Sequence, residues 1–302
     1  MYDLIGDIHG HIQPLEALLR KMGYVQTEGI YRHPNRKALF IGDYIDRGPA
    51  IREVLQLVKG MVDAGAAIAL MGNHEYNALA WHTPDRKGDY LRSHSEKHYC
   101  QHAETLRQFA GFENDWQAYI NWFYTLPLFV ELDGFRAVHA CWDDAHIQWL
   151  KANNLQLLTP DFLRAAHNRG SQEHLVIEET LKGKEVDIPA EFVWNDKDGN
   201  PRTTNRTQWW ADPRAQFIWG EFLFNCPEAM ADVVIPANQN FYVYPLDAPP
   251  VFVGHYWLTG AAPVIQRSNV VCLDYSIAKG GSLVAYRWDG GLIREESFVV
   301  QG

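Results

Sequence analysis

Ala38-Leu39-Phe40-Ile41-Gly42-Asp43-Tyr44-Ile45-Asp46-Arg47-Gly48 changes at a single glycine from an apolar run to a cluster of charged side chains. The run has the length and composition of a buried strand. Gly42 allows the backbone to turn sharply at its end. The same design occurs twice more. Gly6-Asp7-Ile8-His9-Gly10 follows Tyr2–Ile5, and Gly72-Asn73-His74-Glu75 follows Ala66–Met71. Between the blocks, Leu15, Leu18, Leu19 and Met22 recur at helical spacing, with Gly23 just beyond them. Ile51, Val54, Leu55, Val58 and Val62 do the same, with Pro49 near the start and Gly65 past the end. A proline at the entry and a glycine at the exit are the usual ends of a helix. The spacing of Asp7, Asp43 and Asn73 is about one strand–helix repeat. The reading is β-α-β-α-β, a parallel sheet with right-handed crossovers. Polar side chains at the carboxyl ends of such strands lie where open α/β sheets place their sites.

The whole chain narrows the function classes. Its 302 residues, 47% of them hydrophobic, can bury one large core or two small ones. Lys+Arg 27 against Asp+Glu 37 leaves a formal charge of −10 with no basic run, so no nucleic-acid partner is expected. A phosphate substrate stays compatible with that charge, because bound divalent cations reverse the sign locally. Cys100, Cys141, Cys226 and Cys272 form no C-x-x-C pair and read as reduced thiols. No charged and apolar leader precedes Tyr2–Ile5, and no apolar run reaches about 18 residues, so a cytoplasmic protein with no membrane partner is expected.

Beyond Glu75 the pattern loosens. Residues 82–104, with His82, His94, His98 and His102, read as a polar surface insertion. A helix is expected around Asp115–Tyr124. Leu128–Leu132 and Phe135–His139 flank Asp133-Gly134, a hairpin signal. Residues 142–248 are the least regular. Helices are expected near Pro160–Asn168 and His174–Lys182, and a turn cluster over Asn195–Pro201. Trp194, Trp209, Trp210 and Trp219 read mainly as packing residues of this elaboration, which could cap the site. The sheet resumes at Val251–Val253 and continues through Val270–Leu273, Leu283–Arg287 and Phe298–Val300.

Two later histidines repeat the strand-end placement. His139 ends the strand from Phe135, and His255 follows Val251-Phe252-Val253-Gly254. The candidate metal ligands are then Asp7, His9, Asp43, Asn73, His139 and His255. Mixed carboxylate, imidazole and amide donors suit Mn²⁺, Fe, Zn²⁺ or Ni²⁺. Six protein ligands exceed the need of one cation that keeps water, and suit two cations sharing Asp43.

Together the three blocks with His139 and His255 resemble the calcineurin-like metallophosphoesterases. They are similar in particular to the phosphoprotein-phosphatase branch, which includes bacterial diadenosine tetraphosphatases. The resemblance implies an α/β (α+β) fold: a four-layer β-sandwich flanked by helices, here a single domain over 1–302 with 142–248 as a largely irregular or helical insertion. It implies two divalent metal ions, of which Mn²⁺ is favoured. Asp7, His9 and Asp43 would hold one, and Asp43, Asn73, His139 and His255 the other. A metal-bridging hydroxide would attack phosphorus. His74 would be the general acid, oriented by Asp46. Arg47 and Asn73 would bind the phosphate, joined by an arginine of the middle region, with Arg206 preferred over Arg169 and Arg202.

Two departures refine the resemblance. Many branches carry a second histidine where this chain has Trp257, a gap shared by the phosphatase and tetraphosphatase branches. Ala140-Cys141 stands where eukaryotic protein phosphatases usually show two glycines. The segment Leu273–Leu283 resembles that of the tetraphosphatases, a resemblance that would put Tyr275 or Lys279 near the substrate. The expected function is hydrolysis of phosphomonoesters on a phosphorylated protein or small molecule. The alternatives are a dinucleoside polyphosphate hydrolase and a catalytically silent protein that binds phospho-ligands.

Overall fold

The computed structural model describes every residue except 133, 196–200, 212–217, 237–240 and 302. The chain begins with β1 (Tyr2–Ile5), α1 (Ile12–Lys21), a hairpin of β2 (Val25–Thr27) and β3 (Ile30–Arg32), β4 (Lys37–Phe40), α2 (Ile51–Asp63), β5 (Ala67–Ala69) and α3 (Asn73–His82). β1, β4 and β5 are parallel neighbours, with Ile5 beside Phe40 and Phe40 beside Ala69. This is the β-α-β-α-β unit read from the sequence, with the β2–β3 hairpin added. α1 buries Leu15, Leu18 and Leu19, the expected stripe, and the chain leaves the helix through Gly23 at φ +91°.

The chain continues through α4 (Glu96–Phe109), α5 (Glu113–Phe123), β6 (Phe129–Leu132) and β7 (Phe135–Val138). β6 and β7 are antiparallel with Leu132 opposite Phe135, the expected hairpin, although Asp133 itself lies outside the described residues. α6 (Asp144–Ala152), α7 (Pro160–Ala166) and α8 (Gln172–Lys182) follow. Then come the short strands β8 (Glu185–Asp187), β9 (Trp194–Asn195), β10 (Pro201–Arg202) and β11 (Thr204–Arg206), and the short helices α9 (Trp219–Phe222) and α10 (Glu228–Ala231). Most of the expected Asn195–Pro201 turn, residues 196–200, lies outside the described residues. β12 (Val251–Val253), β13 (Val270–Cys272), β14 (Asp274–Tyr275), β15 (Ser282–Trp288) and β16 (Phe298–Gln301) complete the chain.

The long strands form two sheets. One has the order β14-β15-β1-β4-β5, with β16 also paired to β15. The other has the order β13-β12-β7-β6. The first sheet is mixed, because β15 runs antiparallel to β1. Alternation along the strands sorts the side chains by face. Leu4, Leu39, Val284 and Tyr286 share one core with Phe135, Ala137, Phe252 and Val271 of the second sheet. Ile5, Ala38 and Phe40 point the other way and join Leu18 and Val54 of α1 and α2. Val138, Val251 and Val253 join Ile147, Leu150 and Val176 of α6 and α8 in that same cluster. The result is two facing sheets with helices outside, the four-layer arrangement that the resemblance implies.

The middle of the chain divides. Trp209 and Trp210 enter the main core, where Trp209 Nε1 donates to the Tyr256 hydroxyl at 2.7 Å. Trp219 belongs to a small separate core with Ile188, Phe222, Leu223 and Met230. One sequence expectation needs correction. Residues 82–104 are not all a polar surface insertion. α4 starts within them and turns His102, Thr105 and Phe109 inward at helical spacing, so His102 is buried.

Phe252 is fully buried between the sheets, with the rings of Phe135, Tyr286 and Trp288 at 5.7, 5.1 and 5.7 Å. Phe252→Ala should cost about 3–5 kcal/mol, the usual range for a deleted core phenyl ring. A urea unfolding curve would read this as a lower midpoint with an unchanged slope.

Candidate active site

The carboxyl ends of β1, β4, β7 and β12, together with the start of α3, converge on one place. Asp7 and His9 follow β1, Asp43 follows β4, Asn73 and His74 open α3, His139 follows β7 and His255 follows β12. All seven side chains are buried. The backbone there is unusual. His9, Asp43, Asp46, Arg47, His255 and Trp257 all have positive φ, between +44° and +74°. Left-handed backbone in non-glycine residues persists only where the surroundings over-determine it. Packing is correspondingly close: a Cβ on Gly254 would lie 2.1 Å from Asp7 Oδ1, and one on Gly42 would lie 2.9 Å from His139 Nδ1.

Glu75 holds the Asp43 loop. Its Oε2 accepts from Asp43 N at 2.9 Å and from Gly72 N at 3.1 Å, and its Oε1 accepts from Tyr44 N at 2.8 Å and Ile45 N at 3.3 Å. The Gly72 contact is one half of a capping box at the α3 N-terminus. Burial, then the Asp43 charge, pushes the Glu75 carboxyl up to about 7. Glu75 stands in the sequence block, yet its role was not legible there, because its partners are backbone groups of a distant loop.

The putting together of donors is asymmetric. His9, Asp43 and His74 place one donor atom each within 4.8 Å of one another, and so do Asp43, His139 and His255. Asp43 belongs to both groups. Asp7 belongs to neither: its carboxylate accepts the His255 backbone N–H at 3.0 Å and faces Asp274. Burial, then Asp274 and Asp43, raises the Asp7 carboxyl well above its usual range. Asn73 Oδ1 sits between His139 Nε2 at 3.0 Å and His255 Nδ1 at 2.7 Å.

These residues fit divalent cations. His9 Nδ1 donates to Ile45 O at 2.9 Å, which leaves Nε2 with its lone pair toward Asp43. Burial and then His74 depress the His9 pKa to about 3, so the ring is neutral. Burial and then the Arg206 charge depress His255 well below the usual value. The Nε2 atoms of both rings are buried with no hydrogen-bond partner. His139 differs. Burial opposes its protonation, but Asp43 outweighs that and raises its pKa, and both ring nitrogens face acceptors. A cation held there would take the place of that proton. Three buried carboxylates, Asp7, Asp43 and Asp274, crowd the same space. Positive charge relieves their repulsion.

Beside these residues His74 pairs with Asp46. His74 Nδ1 is 2.5 Å from Asp46 Oδ2, and its Nε2 is 3.9 Å from Asp43 Oδ2. Burial alone would lower the His74 pKa, but Asp43 and the Asp46 hydrogen bond prevail and raise it. Asp46 also accepts from His102 Nδ1 at 2.8 Å and Thr105 Oγ1 at 2.6 Å. Burial disfavours its charge, yet the bonds from His102 and His74 hold it below the usual carboxylate range. Sequence reasoning missed His102 and Thr105, which no local signal tied to Asp46. It also missed Asp274, although an acid directly after the apolar run Val270–Leu273 repeats the pattern of the other blocks.

The remaining candidates separate. Arg47 is exposed with its guanidinium 4.5 Å from the Trp257 ring centroid, and Lys279 Nζ lies 3.9 Å from the same centroid. Arg206 lies within electrostatic range of His255, and its buried Nε has no hydrogen-bond partner. Arg169 lines a groove beside Tyr76, and Arg202 is exposed on β10. Tyr275 turns away from the site into the core between the sheets, where its hydroxyl accepts from Val264 N at 2.8 Å.

The sequence pattern of the calcineurin-like phosphoesterases matches residues 2–255. The chain belongs to this family. As a calcineurin-like phosphoesterase, it is an enzyme acting on phosphoric esters, and the family together with the two buried clusters points to a two-metal centre. A stretch of 73 residues is 45% identical to a bis(5′-nucleosyl)-tetraphosphatase of Oceanobacillus iheyensis, covering 24% of this chain and 29% of that protein. The Bacillus subtilis protein of the same name is 42% identical over 74 residues, covering 24% and 30%. The match thus spans under a third of the length of these curated relatives. Among solved structures, a protein serine/threonine phosphatase from Saccharomyces cerevisiae aligns over 99% of this chain and 78% of its own, with TM-score 0.51 and 14% identity. A mutant cold-active protein tyrosine phosphatase aligns over 100% and 80%, with TM-score 0.50 and 17% identity. At these identities the structures share the fold. No helix among the described residues is long and apolar enough to cross a membrane.

Replacing Glu75 with Ala strands four backbone N–H groups in a buried loop. Glu75→Ala should destabilise the fold by about 3–5 kcal/mol, since each buried donor left unpaired costs on the order of 1–3 kcal/mol and the loop relaxes in part. The check is a denaturation midpoint measured without added metal.

Proposed function

We propose that this phosphoesterase transfers the phosphoryl group of a phosphomonoester to water, with His74 protonating the leaving oxygen. The observation that carries the reading is the orientation of His74. Its Nδ1 is committed to Asp46, so Nε2 points toward Asp43 and the ligand clusters. Asp7, His9 and Asp43 would hold one cation, and Asp43, Asn73, His139 and His255 the other. When bound, two divalent cations supply charge neutralisation and a water of lowered pKa. Mn²⁺ is favoured, and Fe, Zn²⁺ or Ni²⁺ fit the same donors.

The chain's own residues do the rest. Arg47 and Arg206 orient the phosphoryl oxygens, and Asn73 flanks them. Water oxygen bonds to phosphorus, the bond from phosphorus to the leaving oxygen breaks, and that oxygen takes the Nε2 proton of His74. Asp46, itself fixed by His102 and Thr105, keeps His74 in the right tautomer and stabilises its charged form. Residues 142–248 act as an elaboration of a single domain, supplying Arg206 to the site. The four cysteines form no disulfide, which suits a reducing compartment, and we place the enzyme in the cytoplasm. The 45% identical segment of a bis(5′-nucleosyl)-tetraphosphatase supports a second reading, hydrolysis of a dinucleoside polyphosphate.

Leaving-group dependence tests the acid. His74→Asn should lower kcat on phenyl phosphate by about 10²–10⁴-fold, the usual worth of a positioned acid. The loss on 2,4-dinitrophenyl phosphate should be far smaller, because that leaving group departs without a proton. Equal losses on both would assign His74 another role.

The pH profile tests Asp46. The acid must be protonated, so activity falls as pH rises through the His74 pKa. Asp43 and Asp46 raise that pKa. Asp46→Asn removes one of them, and the alkaline limb of kcat should move to lower pH. A limb that stays in place would remove Asp46 from the dyad.

A further inference from the structure

We infer that Trp257 is a positioning residue, whose indole ring gathers the charged heads of Arg47 and Lys279 beside the ligand clusters and so makes the enzyme select a doubly charged phosphoryl group. This rests on the phosphoesterase reading above and deepens it to a substrate class, monoesters over diesters.

The ring is fixed and borders the donor cluster. Trp257 has φ +53°, and its backbone N–H donates to Oδ2 of the buried Asp274 at 2.7 Å. The half-buried indole lies 5.7 Å from the His9 ring, tilted by 35°. His9 keeps an unpartnered Nε2 and shares a cluster with Asp43 and His74. An indole N–H only donates, so Trp257 flanks this cluster without joining it as a ligand.

Two cations meet on that ring. Arg47 Cζ lies over it at 4.5 Å from the centroid and Lys279 Nζ at 3.9 Å. Both residues are exposed, and among the described residues no carboxylate pairs with either head. Long exposed side chains keep their rotamer freedom unless something holds them. Here the aromatic face does so. The backbone agrees, since Arg47 has φ +67° and left-handed non-glycine residues cluster at ligand clamps. Arg47 is also within electrostatic range of both His9 and His74. Its guanidinium therefore lies beside the place that the scissile phosphoryl group takes in the reading above.

The charge arrangement favours a dianion. Like charges gathered on one ring repel, and an arriving anion relieves them in proportion to its own charge. A phosphomonoester brings nearly two negative charges at neutral pH, and a diester brings one. Arg47 takes the phosphoryl oxygens, and Lys279 adds to the potential that draws them in. Because both heads are exposed, the preference weakens as salt screens them.

The test uses the full chain loaded with Mn²⁺ and two substrates with one leaving group, p-nitrophenyl phosphate and methyl p-nitrophenyl phosphate. Wild type should prefer the monoester in kcat/KM, and added salt should shrink the preference. Trp257→Leu should raise KM for the monoester about 3–10-fold, the worth of a half-exposed cation–π contact. Its kcat should move less, and KM for the diester should stay nearly unchanged. Trp257→Phe keeps an aromatic face and should restore part of the loss. Lys279→Gln should flatten the salt dependence in the wild-type background and add nothing in the Trp257→Leu background. Metal content per chain should be equal in all variants, which separates positioning from loss of a neighbouring cation. Calorimetry supplies a readout without turnover: wild type should bind methylphosphonate more tightly than dimethyl phosphate, and Trp257→Leu should narrow the gap. The inference is overturned if Trp257→Leu lowers both substrates equally, if Trp257→Phe performs no better than Trp257→Leu, or if Lys279→Gln leaves the salt dependence as in wild type. Should Trp257→Leu fail to fold, Lys279→Gln at its exposed position decides. If wild type hydrolyses neither substrate, the phosphoesterase reading falls, and the phosphonate titration still decides the clamp.

Discussion

The Glu75 carboxylate is the constraint on which the site depends. It gathers backbone N–H groups from Gly72, Asp43, Tyr44 and Ile45, and so fastens the loop after β4 to the start of α3. With that loop in place, Asp43 and Asp46 keep their left-handed backbone. Asp43 then lies between two sets of histidines, and Asp46 meets the ring of His74. Burying a carboxylate is costly unless its oxygens are satisfied. Here satisfaction and positioning are one set of contacts.

The electrostatics are arranged in two zones. Toward the strand ends, Asp7, Asp43 and Asp274 are buried together, while His9 and His255 are held neutral with orphaned Nε2 atoms. This zone has an excess of negative charge and free lone pairs, both of which a cation relieves. Beside it, Arg47, Lys279 and Arg206 carry the opposite sign. An acidic chain thereby presents positive charge beside its buried carboxylates. Net charge describes the average surface and says little about one cleft.

Much of this was legible in the sequence. Apolar runs closed by glycine and acid located β1, β4 and β5, and helical spacing located α1 and α2 between them. His139 and His255 were legible because each ends a short apolar run. His102 was not. It sits among polar residues that read as surface, and only the packing of α4 against the Asp43–Gly48 loop turns it inward. The pairing of β15 antiparallel to β1 was equally hidden, since strand order depends on contacts between residues far apart in the chain.

By itself, then, the sequence determined the kinds of side chain at the strand ends, the local elements that carry them and the family to which they belong. Local periodicity and turn chemistry act over a few residues, so they survive in one dimension. The tertiary structure alone decided which donors meet, which histidines are neutral, that Asp7 turns toward Asp274 and that Tyr275 turns away. These are consequences of burial and of distances between remote segments, and such distances exist only once the two sheets have packed face to face.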